Sequence, residues 1–160
     1  MTLHTTKIDI AEDKRDELIA ILNQSLADAA DLKSQAKQAH WNVKGPSFIA
    51  LHELFDRVAT EVDVYIDDVA ERITTLGGTA MGTVRLAAAN SSLSEYPHEI
   101  SDGTAHVDAL SSAMADFAKK VRTDIDRTDD LGDKDTADLY TGISRGIDKL
   151  LWFVEAHIQA

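Results

Sequence analysis

The chain has 160 residues, of which 44% are hydrophobic and 28% charged, with two prolines and a formal net charge of −12 at pH 7. That length suits one domain, 1–160, with a substantial core, and the composition excludes a disordered chain. Cysteine is absent, so disulfides, thiolate metal sites and cysteine nucleophiles are excluded, and His, Asp and Glu remain as metal donors.

In chain order, Met1 to Asp9 lack the basic-then-apolar layout of a secretory signal, and no run of about 18 apolar residues follows anywhere. A cytoplasmic protein with no membrane partner is expected. Helical periodicity begins near Glu12 and runs to His40, with Leu18, Leu22, Leu26, Ala29 and Ala36 on one face. Gly45-Pro46 breaks it, and Ser47 is a candidate N-cap for a second helix that extends to Leu76. Its stripe is Phe48, Leu51, Phe55, Val58, Val62, Tyr65, Val69 and Leu76, in steps of three and four with only the last longer; Gly77-Gly78 ends it. A long connection to about Ser101 follows, in which Thr83 to Ala89 predicts a short extra helix before the Tyr96-Pro97 turn. A third stripe runs from Val107 to Ile125 and a fourth from Leu139 to Val154. Strand signals are weak. The expectation is all-α: a four-helix bundle with one long crossover, the topology of ferritin-like folds.

The second helix also carries chemistry. At 100° per residue with His52 at zero, Asp56 falls at ~40°, Asp67 at ~60° and Glu71 at ~100°. The apolar stripe centres near ~−95°, so the four donors face away from the chain's own core. His52 and Asp56 are one turn apart, as are Asp67 and Glu71, but Asp56 and Glu71 are separated by roughly 22 Å along the axis. With metal bonds of about 2 Å, one ion cannot reach both pairs on one helix. An antiparallel copy of the helix, related by a two-fold axis near residues 61 and 62, brings each pair beside the other's complement and creates two identical sites. Ala59 and Ala70 lie on the same arc and would allow close approach, and His40 could come near His52 across the Gly45-Pro46 turn. Two imidazoles and three carboxylates suit iron, manganese or zinc, and carboxylates hold both ferrous and ferric ions. The bland alternative is a solvated helix face with scattered acids.

Three separated stretches, Lys37 to Gly45, His52 to Asp56 and Asp67 to Arg72, together with Asp148 to Glu155, resemble the Dps family of mini-ferritins in order and spacing. The resemblance implies a hollow homododecamer of 23 symmetry that oxidises Fe(II), preferentially with hydrogen peroxide over dioxygen, at ferroxidase centres on its two-fold interfaces, and stores ferric mineral inside. It places the iron ligands on His40, His52 and Asp56 of one subunit and on Asp67 and Glu71 of its partner, with zinc a competing ion. It also suggests Glu53 as a nucleation carboxylate and Trp41 as an interceptor of stray oxidising equivalents, against packing for the latter. Larger ferritins place Glu-x-x-His inside the bundle; here that pattern occurs only at Glu95 to His98, on a proline turn, which favours the mini-ferritin.

Seven aspartates lie between Asp124 and Asp138. They read either as a polar loop and acidic first turn, with Asp133 as helix cap, or as a cation funnel around a three-fold pore. By family position the pore residues are Asp129, Asp133 and Asp138. Trp152 reads as structural and His157 as packed or terminal; His4, His98 and His106 have no ligand-spaced partner. An alternative function is a nucleoid-associated, DNA-protecting protein. Family members that coat DNA use lysine-rich tails, whereas here Lys7, Lys14 and Arg15 are set against Asp9, Glu12 and Asp13, and no basic extension precedes Ala160. DNA binding is expected to be weak or absent.

Overall fold

The computed structural model describes residues 3–159. It contains four long helices, α1 (Glu12–Asn42), α2 (Phe48–Thr75), α4 (Gly103–Asp130) and α5 (Lys134–Glu155), and a short α3 (Val84–Asn90) in the crossover. The all-α bundle with a helix-bearing crossover is therefore present, with α1 running two residues beyond His40. Among the described residues no helix is long and apolar enough to cross a membrane.

The stripes pack as their spacing dictates. Leu18, Leu22, Phe55, Val62, Leu110, Met114 and Ile147 are all 0% exposed and join side chains of all four long helices in one apolar cluster. On α2 the buried stripe begins at Leu51, not Phe48, and Ile73 fills the step before Leu76. Phe48 is 42% exposed, its ring lying 5.1 Å from that of His52. Ser47 occupies the N-cap position without capping: its φ of −95° and ψ of 15° lie outside the extended region from which a hydroxyl reaches the first free N–H groups.

Two glycines form turns that other residues would strain. Gly45 has φ +111° between α1 and α2. Gly77 has φ +89°, and a Cβ there would stand 2.6 Å from the His4 carbonyl oxygen, while the His4 N–H donates to the Gly77 carbonyl oxygen at 2.8 Å. α4 is capped by Asp102, whose carboxylate accepts from Thr104 N and Ala105 N. At the end of α4, Gly132 (φ +87°) reverses the chain and Asp133 caps α5.

The crossover is fastened to α1 by polar side chains. Asn23 binds the backbone of Thr79 and Met81, Asp28 accepts from Ser92 N (2.6 Å) and Ser92 Oγ (2.8 Å), Asp31 accepts from Ser91 Oγ, and Gln35 donates to Ser94 O (3.0 Å). These bonds explain how Asp28 and Gln35 can be buried on α1.

Gly146 of α5 lies against Tyr65 of α2, where a Cβ would overlap the Tyr65 hydroxyl and stand 3.0 Å from its Cζ. Gly146→Ala should therefore force Tyr65 aside. A loss of about 1–3 kcal/mol is expected in denaturant unfolding, even though alanine is the better helix former.

Candidate metal centre

The end of α1 and the start of α2 lock together through their histidines. The rings of His40 and His52 stack with centroids 3.7 Å apart and planes 21° from parallel. Nδ1 of His40 lies 2.7 Å from the His52 carbonyl oxygen, and Nδ1 of His52 lies 2.8 Å from the His40 carbonyl oxygen. A carbonyl only accepts, so each Nδ1 carries the proton and donates. Both Nε2 lone pairs are thereby left for a metal, with ring orientation fixed by the backbone.

Asp56 lies one turn beyond His52 and is half-exposed. Lys37 of α1 donates to its carboxylate at 2.6 Å. That bond holds the Asp56 carboxyl below its ordinary value, with burial opposing it and the Lys37 charge adding to it. The Lys37 ammonium also lies 5.7 Å from the centroid of Trp41, which is 66% exposed.

Asp67 and Glu71 are exposed farther along α2. Neither makes a side-chain hydrogen bond or ion pair among the described residues. Glu53, next to His52, is exposed as well. Among the described residues no group of three or more His, Asp or Glu side chains is placed to hold one ion. His40, His52 and Asp56 are neighbours, but the Asp56 carboxylate is turned to Lys37, and Asp67 and Glu71 lie on a distant stretch of the same helix. A lone chain leaves the donor set divided.

Two small residues expected on this face behave differently. Ala59 is 2% exposed and belongs to the chain's own core, while Ala70 is partly buried against it. Ala59 sits at the margin of the donor arc, on the side that turns into the core. The surface near the midpoint of α2 is instead a shallow depression lined by Thr60, Asp63, Val64, Ile66 and Asp67, with Val64 53% exposed.

The acidic stretch separates into two kinds of residue. Asp133 is 2% exposed and is a buried cap, not an exposed pore carboxylate. It accepts from Arg72 Nη2 at 2.7 and 2.9 Å and from Thr136 N at 3.1 Å, and it also bonds the Thr136 hydroxyl. Burial pushes its carboxyl up, but the Arg72 and Thr136 bonds outweigh this and the net shift is downward. Asp124 is also buried, and desolvation raises its carboxyl despite the Arg127 bond at 2.8 Å. Asp129 and Asp138 are exposed, with Asp129 paired to Lys134 at 2.7 Å.

Glu95 and His98 form an exposed pair at 2.9 Å in the crossover, far from any bundle interior. Trp152 is 59% exposed, its ring 4.9 Å from that of Phe153, so it lies outside this chain's core. His157 is exposed beyond α5, with Nδ1 2.9 Å from Phe153 O. Lys37 escaped the reading of the sequence; its one signal is a position three residues before His40 on the same face of α1.

Comparison with known proteins places the whole chain. A family model described as a ferritin-like domain matches residues 19–160. The chain is 45% identical over 159 residues to the DNA protection during starvation protein of Agrobacterium fabrum, covering 99% of this chain and 98% of that protein. DpsC from Streptomyces coelicolor superposes with a TM-score of 0.94 at 31% identity, covering 99% of this chain and 93% of that one. Dps of Mycobacterium smegmatis, in its tetragonal crystal form, gives a TM-score of 0.93 at 32% identity over 98% and 96% of the two chains. With its helix order, its crossover helix and these relatives along nearly its full length, the chain belongs to the Dps family of ferritin-like proteins.

Proposed function

We propose that this protein is a ferroxidase and iron store that oxidises Fe(II) at centres completed by two copies of the chain. The observation that carries the reading is the division of the donor set. His40, His52 and Asp56 gather where α1 meets α2, and Asp67 and Glu71 stand exposed and unpaired further along α2. Burial of two free carboxylates on a surface that also exposes Val64 suits an interface that supplies a cation. In that arrangement the two imidazoles offer Nε2, Asp56 exchanges its Lys37 bond for Fe(II), and the partner subunit's Asp67 and Glu71 close the site. Two imidazoles and three anionic carboxylates in one place favour the ferric product over the ferrous substrate, which drives oxidation forward.

Hydrogen peroxide is the preferred oxidant in this reading, with dioxygen slower, and zinc competes for the same donors. The ferric product accumulates as mineral inside a cytoplasmic dodecameric shell of 23 symmetry, with Glu53 as a nucleation carboxylate. Asp129 and Asp138 are the exposed acids left to line a three-fold entrance and concentrate Fe(II), and Asp133 braces the turn between them. The test is stoichiometric: anaerobic protein is loaded with Fe(II), peroxide is added in increments, and ferric absorbance is followed. Fast saturable oxidation at a fixed number of ions per subunit is expected; a rate equal to that of free Fe(II) would sink the proposal.

The relatives' name speaks of DNA protection. Here protection would be chemical, by consuming Fe(II) and peroxide together. Each copy of the chain adds a further net charge of −12, which repels phosphate. No gel shift of plain duplex is expected at neutral pH and ~150 mM salt without divalent metal, and a clear shift would establish direct coating instead.

A further inference from the structure

The mechanism leaves unused a buried pair of titratable side chains on the core side of α2, beside Phe55. Tyr96 of the crossover is 6% exposed and His106 of α4 is 1% exposed. The Tyr96 hydroxyl lies 2.8 Å from Nδ1 of His106, and the two rings are 6.0 Å apart and 17° from parallel. Nε2 of His106 has no hydrogen-bond partner, and it is the sole such buried side-chain atom among the described residues.

Desolvation lowers the His106 imidazole, while the nearby backbone of Ile100 and Asn42 and the Asp102 carboxylate oppose that shift; the net direction is down, so the ring is a neutral base. With the Tyr96 hydroxyl donating to Nδ1, the neutral ring carries its own proton on Nε2. Burial pushes the Tyr96 phenol well above its ordinary value, so it cannot shed a proton to water. Only His106 is in place to take that proton. On its other side the His106 ring lies 6.5 Å from that of Phe55, the residue that precedes Asp56 on α2.

We propose that Tyr96 and His106 form a redox-active pair, in which Tyr96 gives one electron to a strong one-electron oxidant at the centre while its phenolic proton moves to Nδ1 of His106. The inference rests on the ferroxidase reading. When a single Fe(II) meets hydrogen peroxide, it yields Fe(III), hydroxide and a hydroxyl radical. The radical takes the electron from Tyr96 through the His106 and Phe55 side chains and becomes hydroxide. The O–H bond of Tyr96 breaks and an N–H bond forms on His106, leaving a phenoxyl radical beside an imidazolium. A further Fe(II) returns the electron, the proton goes back to oxygen, and Fe(III) is the product. The pair thus converts a damaging oxidant into the oxidation of one more Fe(II), and the buried phenoxyl cannot diffuse.

The rival reading is a clasp that merely pins the crossover to α4. Electron paramagnetic resonance separates the two. Freeze-quenched samples are compared in two arms: Fe(II) with limiting peroxide, and metal-free protein oxidised by photogenerated ruthenium(III) tris-bipyridyl. The chain has three tyrosines, so Tyr96→Phe, Tyr65→Phe and Tyr140→Phe cover them all. A tyrosyl signal is expected in both arms, about tenfold weaker in Tyr96→Phe and retained in the other two. His106→Phe keeps the phenol and removes the base, and it should lose the signal as well. In the unaltered protein, the radical should show hyperfine coupling to nitrogen-labelled histidine, a readout that needs no variant to fold. A full signal in Tyr96→Phe or His106→Phe, or no histidine coupling in the metal-free arm, overturns the pair. A silent iron arm in which Fe(III) still forms overturns the transfer from the centre to Tyr96, whereas a silent iron arm in which Fe(II) is oxidised no faster than free Fe(II) overturns the ferroxidase reading instead.

Discussion

Asp56→Ala or Glu71→Ala is expected to slow Fe(II) oxidation by at least about 10–100-fold while the assembly stays intact. The two residues occupy opposite ends of the donor face, one turned to Lys37 and one without a partner. Neither belongs to the apolar cluster, so removing either carboxylate opens no cavity and costs little folding energy. In the proposed arrangement each centre takes Asp56 from one chain and Glu71 from the other, so either substitution would remove an anionic oxygen from every centre. The rate measurement is single-turnover oxidation followed by ferric absorbance, with size-exclusion chromatography as the control for assembly. Lys37→Ala is a useful contrast: it frees Asp56 of a competitor at 2.6 Å, so it should not reproduce the loss.

Arg72→Ala is expected to destabilise the fold by about 3–5 kcal/mol, the scale for leaving one buried charge without its partner. Arg72 and Asp133 are side chains 16% and 2% exposed, joined at 2.7 Å, and the same carboxylate caps α5. The pair also has a signature in pH. Asp133 is held below its ordinary value of 3.8 in the folded chain, so it binds fewer protons than when unfolded. Its contribution is complete above the ordinary value and is lost as pH falls through the lowered folded one. Without Arg72, burial is opposed only by Thr136, the carboxyl rises, and acidification relieves part of the cost. Denaturant unfolding at neutral pH and near pH ~3 should therefore show a large gap between the two proteins that narrows in acid.

Much of this architecture is legible in residue spacing. The α2 stripe, the glycine-bounded turns at Gly45 and Gly77 and the crossover helix follow from local preferences and helical period. The outward donor face is legible for the same reason, since angle and rise are properties of one helix. What escaped depends on a neighbour. Ala59 lies at the edge of the projected arc, and only the packing of the other helices decides that it is covered. Lys37 meets Asp56 because α1 and α2 pack in one register, which no single-helix projection contains. Asp133 reads as either cap or pore residue in the sequence, and its partner Arg72 is 61 positions away in the chain. His106 was set aside for want of a ligand-spaced neighbour; its partner Tyr96 is not a ligand type and arrives from the crossover.

Co-assembly of two inactive variants probes the shared centre most directly. Asp56→Ala and Glu71→Ala chains, dissociated, mixed in equal amounts and reassembled, give a population in which half the two-fold pairs are mixed. Each mixed pair has one centre missing both carboxylates and one with both intact, so about a quarter of all centres are restored. The account predicts recovery of roughly a quarter of the unaltered oxidation rate on mixing, from parents that each remain slow. A mixture no faster than its parents would show that the two carboxylates serve within a single chain, and would contradict the account.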